Sequence, residues 1–179
     1  MPVALAAVFA AADVWAASSP ERGWVEYLAP PSACPGATDA SAPVAVQREA
    51  IGCLVNWARG RARNRRLAPS RPLERAAVLK GLRVAACGDF AHAPCGTEVT
   101  ATVRRAGYAY RRYGENLFAG TWGRYAPREV VAAWLRSPSH RATLLAAQYR
   151  DVGAALVRAR GLVGMPDAAV WVAAFGVRR

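Results

Sequence analysis

At 179 residues with 54% hydrophobic side chains, the chain suits one domain, and a domain of that size buries roughly two thirds of its unfolded surface, which excludes general disorder. The net charge is +12, nearly all of it from arginine, and no phosphate-cradling GxGxxG or GxxxxGKS/T run is present, which sets nucleotide binding aside. The arginine excess reads first as compositional bias, and otherwise as attraction to anionic partners such as cell-wall polymers, phospholipid headgroups or nucleic acid.

The first segment, Pro2 to Ala12, is apolar and alanine-rich, and Val14 and Ala16 are small residues placed for cleavage after Ala16. Residues 1–16 are therefore expected to be an export signal, although no Lys or Arg precedes the apolar run and Asp13 interrupts it. Residues 17–43 are rich in Pro, Ser, Ala and Gly and read as an irregular N-terminal extension, placing the compact domain at residues 44–179. From Val44 to Arg63, Val46, Ala50, Cys53, Leu54 and Trp57 recur at three- and four-residue steps, predicting a first helix with Trp57 in the core. The five arginines between Arg59 and Arg66 have no aromatic residue among them. That run reads as a solvated helix end rather than a nucleic-acid groove, and nucleic acid is not an expected partner.

Pro69 and Pro72 interrupt the pattern, which resumes from Leu73 to Ala86 through Ala76, Ala77, Lys80 and Val84 and closes at Cys87-Gly88. A third helix is expected over Thr97 to Arg105, then a strand over Tyr108 to Tyr113. Pro127 opens a helix whose apolar stripe is Val130, Val131, Trp134 and Leu135. Ser137-Pro138 reads as the N-cap and first position of a short helix. His140 then falls in its first turn, where the helix dipole favours the neutral imidazole. Val152 to Val157 and Val170 to Phe175 read as an antiparallel pair joined by a loop holding Gly161, Gly164 and Pro166. Helices first, with strands interleaved and clustered late, argue for an α+β fold: a small antiparallel sheet covered by helices.

Four cysteines allow three pairings. Spacing favours Cys34 with Cys53, tying the extension to the first helix, and Cys87 with Cys95, closing a short loop around His92. Two disulfides agree with an oxidising compartment, whereas a zinc site on these thiols lacks the paired CxxC spacing.

The chain's only two histidines, His92 and His140, sit in the blocks Asp89-Phe90-Ala91-His92 and Ser137-Pro138-Ser139-His140-Arg141, with Tyr113-Gly114-Glu115-Asn116-Leu117 between them. Two imidazoles and a carboxylate suit a divalent metal, zinc above all, or proton transfer. The same groups could equally form a structural hydrogen-bonded network around a turn at Gly114, with Asn116 bonded to that turn's backbone. Ser139 as a serine nucleophile is disfavoured, because neighbours in one helical turn point apart and no GxSxG elbow is present.

These blocks, together with Cys53-Leu54-Val55-Asn56, Arg59, Val130-Val131, Trp134, Asp151-Val152-Gly153 and Trp171 to Gly176, resemble the bacterial branch of the CAP family, also called SCP domains. The resemblance implies a three-layer α-β-α sandwich and a cleft lined by His92, Glu115 and His140. It also implies an exported protein, secreted or associated with the cell envelope. On that likeness the cleft is expected to serve a non-enzymatic binding module, taking a divalent metal, a lipid or sterol, or meeting an anionic envelope surface. The alternative is a metal-assisted, peptidase-like hydrolase using the same three residues. Many relatives carry a second glutamate where this chain has Ser137, which leaves one carboxylate and weakens an acid/base pair. Glu129 lies on the same helix at another position. Ala91 and Arg66 also depart from the bacterial pattern.

Overall fold

The computed structural model describes residues 23–179; the expected export signal lies outside them. Five helices, α1 (Val44–Arg61), α2 (Arg71–Cys87), α3 (Ala101–Arg105), α4 (Pro127–Arg136) and α5 (Pro138–Leu145), enclose one sheet. Its strands are β1 (Ala68–Pro69), β2 (Tyr110–Thr121), β3 (Asp151–Leu162) and β4 (Met165–Arg178), in the order β1-β3-β4-β2. The architecture is the expected α-β-α sandwich. The sheet is antiparallel except at β1, a two-residue strand through Pro69 that pairs in parallel with the start of β3.

Strand β4 runs through the centre of the molecule. Ala169, Trp171, Ala173, Phe175 and Val177 pack in the cluster formed with α1, α4 and α5, whereas Ala168, Val170, Val172 and Ala174 pack in the cluster formed with α2 and α3. Burial on both faces is why the segment reads as an unbroken apolar run. The β3–β4 turn is tighter than expected: Leu162 pairs with Met165, so the loop shrinks to Val163 and Gly164, with φ of 52° and 73°. Gly161 and Pro166 belong to the strands.

Helix limits follow local chemistry. Ser70 Oγ accepts from Leu73 N at 3.4 Å to open α2, and Gly88, with φ of 62°, closes it in the left-handed conformation that glycine adopts at no steric cost. Glu129 Oε2 accepts from Ala126 N at 2.8 Å, so this carboxylate caps α4. The third helix is shorter than expected, covering only Ala101–Arg105.

Residues 23–43 form two short 3-10 turns rather than regular helix or strand. They pack on the domain, with Ala29, Cys34 and Ala37 buried in its core. Arg128 Nε donates to Ala29 O at 2.8 Å, and the Arg136 guanidinium lies 5.0 Å from the Trp24 ring centroid. The disulfides join Cys34 to Cys53 and Cys87 to Cys95, the favoured pairing.

Two expectations about α1 are corrected. Trp57 is 38% exposed and stands outside the core. Arg59 is wholly buried, donating from Nε to Arg65 O at 2.9 Å and from Nη1 to Leu144 O and Ala146 O at 3.0 and 2.9 Å. One arginine of the run therefore ties α1 to the end of α5, while Arg61, Arg63, Arg65 and Arg66 are exposed.

Candidate functional site

Strand β2 is twice as long as expected, and the block around Glu115 lies within it rather than in a turn. Side chains alternate across the sheet, so Tyr113, Glu115 and Leu117 face α2, and Asn116 faces α5. Gly114 leaves room for Tyr149, because a Cβ there would run into the Tyr149 hydroxyl.

Glu115 is the hub of one half of the site. Its side chain is 2% exposed. Tyr113 donates its hydroxyl to Oε2 at 2.6 Å. Lys80 Nζ on α2 lies 3.0 Å from Oε1 and also donates to the carbonyls of His92 and, at 3.3 Å, Val99. His92 Nδ1 lies 2.9 Å from the same Oε1. Burial, then the neighbouring Glu115 charge, pushes the Tyr113 hydroxyl well above its ordinary pKa, so it remains a proton donor to the carboxylate. The Cys87–Cys95 disulfide closes the loop that bears His92, and Cys95 N donates to Asp89 Oδ2 at 3.3 Å inside it.

His140 forms the other half, at the start of α5. Asn116 Nδ2 donates to His140 O at 3.0 Å, so this asparagine ties α5 to β2 instead of bonding a local turn. Ser137 occupies the N-cap position but makes no side-chain cap. Its Oγ instead lies 2.9 Å from His140 Nδ1, because the i to i+3 spacing places the two side chains on one helix face. Ser139 meets the Ser137 hydroxyl at 3.3 Å and not the imidazole. Burial, and then the nearby His92 charge, lowers the His140 pKa. The neutral form is favoured, as expected, but desolvation is the leading cause.

His92 and Glu115 thus meet on the α2 side of β2, and His140 lies at the start of α5, where Asn116 holds its carbonyl. Sequence reasoning missed Lys80, which is 1% exposed, and treated it as one position of an apolar stripe. The available signal was its isolation: it is the only lysine among 24 basic residues and falls at core spacing on α2. Of the aromatic and aliphatic residues expected in the core, Trp134 and Leu135 are buried, but Phe90 is 37% exposed beside His92. Trp134 Nε1 donates to Leu117 O at 2.9 Å, fixing α4 against β2.

The two imidazoles share one arrangement. Each imidazole is held at Nδ1, leaving Nε2 as its second nitrogen, the arrangement by which a hydrogen-bonded partner orients a ligating histidine. Glu115 has both oxygens engaged. Among the described residues, no three His, Cys, Asp or Glu side chains are grouped to hold one ion.

A groove of about 750 Å³ lies apart from these residues, between α1, β1 and the start of α2, with Arg48, Arg66, Arg71, Glu49 and Glu74 on its walls. It contains neither histidine.

The profile of the cysteine-rich secretory protein family, CAP, matches residues 54–175, more than half of the chain. Comparison with curated proteins returned no match. Among solved structures, an extracellular SCP-domain protein of Bacillus anthracis aligns with a TM-score of 0.61 and 20% identity, over 74% of this chain and 40% of that one. An outer surface protein of Borrelia burgdorferi gives 0.59 and 22% identity, over 72% and 90%. A cysteine-rich secretory protein of Staphylococcus aureus gives 0.59 and 14%, over 76% and 40%. The chain thus spans less than half the length of the Bacillus and Staphylococcus proteins. At these identities the structures share the fold, and with the matching profile and the His92, Glu115 and His140 blocks in place, the chain belongs to the CAP family.

Proposed function

We propose that this is an exported CAP-domain binding protein, without turnover of its own, whose cleft holds a divalent metal through His92 and His140. The observation that carries the reading is the engagement of Glu115. A general base needs a carboxylate within reach of its substrate's proton. Here Oε1 faces Lys80 and His92, Oε2 accepts from Tyr113, and the side chain is 2% exposed. Ser137 stands where a second acid would be needed and holds His140 instead. Zinc is the metal that an imidazole pair suits, with water or a ligand filling the remaining positions; bound there, it would act as a Lewis acid or a bridge to a partner's donor.

Export is supported by the two disulfides and by likeness to an extracellular and an outer surface protein. A lipid-like or sterol ligand is the second reading, supported by Phe90, an exposed aromatic two residues from His92. The exposed arginines support association with an anionic envelope surface, which added salt would weaken.

The test combines a zinc titration of oxidised, chelator-stripped protein with assays of peptide and ester hydrolysis. Zinc binding that His140→Ala removes, with no chelator-sensitive turnover, is the expected result. Turnover that both a chelator and His92→Ala abolish would overturn the non-enzymatic reading in favour of the hydrolase.

A further inference from the structure

We propose that the groove between α1, β1 and the start of α2 docks an extended acidic peptide, which adds as a strand to the open edge of β3 and sets a carboxylate against Arg66 and Arg71. This surface is separate from the two histidines and does not depend on the metal reading.

The edge is open because β1 is short. It pairs with β3 only at Asp151 and Val152. Ser70 N makes the last bond, to Val152 O at 2.8 Å, and the chain then turns into α2, with Ser70 O accepting from Glu74 N. Among the described residues no strand continues along this side of β3. Backbone groups of a strand point alternately to its two neighbours, so Ala154 and Leu156, in phase with Val152, direct their N–H and C=O groups outward. Val152, Gly153 and Ala154 line the groove at this point.

The helices recess this edge. Helix α2 lies hard against Gly153, where a Cβ would come within 2.1 Å of Glu74 N, and α1 forms the other wall from Ala45 to Asn56. That stretch of helix spans about 16 Å, the length of about five extended residues. A single strand fits between the helices, whereas the edge of a second sheet flanked by its own helices does not. Strand addition draws affinity from main-chain hydrogen bonds and selectivity from the side chains beside them.

Those side chains select for acid. Arg66 and Arg71 bracket β1, are exposed, and have no ion-pair partner among the described residues. Arg48 Nη1 lies 2.8 Å from Glu74 Oε1, joining the two walls, while its Nε is buried with no acceptor. Glu49 is the other acid of the lining. Positive charge therefore exceeds negative, and guanidinium donors remain for an incoming carboxylate.

The experiment titrates the oxidised full chain, labelled with nitrogen-15, with a blocked five-residue peptide alternating glutamate and valine. Its lysine–valine counterpart and a glutamate–valine peptide N-methylated at every residue are run beside it. The glutamate peptide is expected to shift the amides of residues 152–156, and the lysine peptide is not. Charge reversal in Arg66→Glu/Arg71→Glu, at two exposed positions, should weaken binding on the order of tenfold or more. The N-methylated peptide keeps the charge but cannot donate to the strand, and should leave these amides unmoved. Equal binding of that peptide would place the affinity in surface charge alone and overturn strand addition. Shifts confined to other parts of the molecule, or unchanged affinity in Arg66→Glu/Arg71→Glu, would overturn the proposal as well.

Discussion

Lys80 Nζ lies 3.0 Å from Glu115 Oε1, with only 1% and 2% of the two side chains exposed. This pair joins α2 to β2 and sets a buried ammonium against the Glu115 carboxylate. Removing one partner of such a pair leaves an uncompensated buried charge, and Lys80→Met is expected to cost about 3–5 kcal/mol. Replacing both, as Lys80→Met/Glu115→Gln, recovers much of the loss. Urea unfolding of the three proteins checks this, and a double variant no more stable than Lys80→Met would show that the cost lies in packing instead.

The depressed His140 pKa makes stability depend on pH in a defined direction. The unfolded chain takes up the proton first, near the ordinary histidine value of 6.5. The stability owed to the neutral ring is fully present above that value and is lost as pH falls through the lower folded value. Denaturant midpoints at about pH 8 and about pH 5 should fall more for wild type than for His140→Gln. Equal falls would assign the acid sensitivity to other groups.

Ser137 holds the His140 ring by a 2.9 Å contact to Nδ1. Ser137→Ala removes no cap, since the side chain makes none, and should leave the fold intact. A partner that orients a metal-binding histidine changes affinity by roughly 10–100-fold when lost, and zinc titration of this variant should show a decrease of that size. An unchanged isotherm would remove Ser137 from the site.

The Cys87–Cys95 disulfide spans eight residues around His92. In the chain-entropy picture, closing so short a loop contributes about 2–3 kcal/mol. Replacing both cysteines with serine is expected to lower stability by that amount and to raise amide exchange across residues 88–100 more than elsewhere. Uniform exchange changes would instead mean that the bridge acts on the whole fold.

Much of the architecture was legible because helices α1, α2 and α4 carry apolar residues at helical spacing and β4 is apolar on both faces. Strand β2 was not, since Gly114, Glu115 and Asn116 are poor strand formers by local preference. Their stability comes from distant partners: Lys80 and His92 on one face, and the His140 carbonyl on the other. Position patterns misplaced side chains where polarity and periodicity disagreed. Lys80 fits an apolar stripe because its charge is paired inside, and Arg59 is buried because carbonyls of α5 and the following turn receive its guanidinium. Trp57 shows the reverse, an aromatic at core spacing that the structure leaves exposed. The blocks holding His92, Glu115 and His140 stood out by their chemistry, but the partners of Glu115 could only be read from the folded structure.

If His92 and His140, each held at Nδ1, offer Nε2 to a metal as proposed, nitrogen-15 NMR of their rings reads it. With only two histidines in the chain, the spectrum contains two rings. On adding one equivalent of zinc, the Nε2 resonances of both should shift together while each Nδ1 stays protonated. Rings that do not respond, or a metal bound through Nδ1, would rule out a two-imidazole metal site.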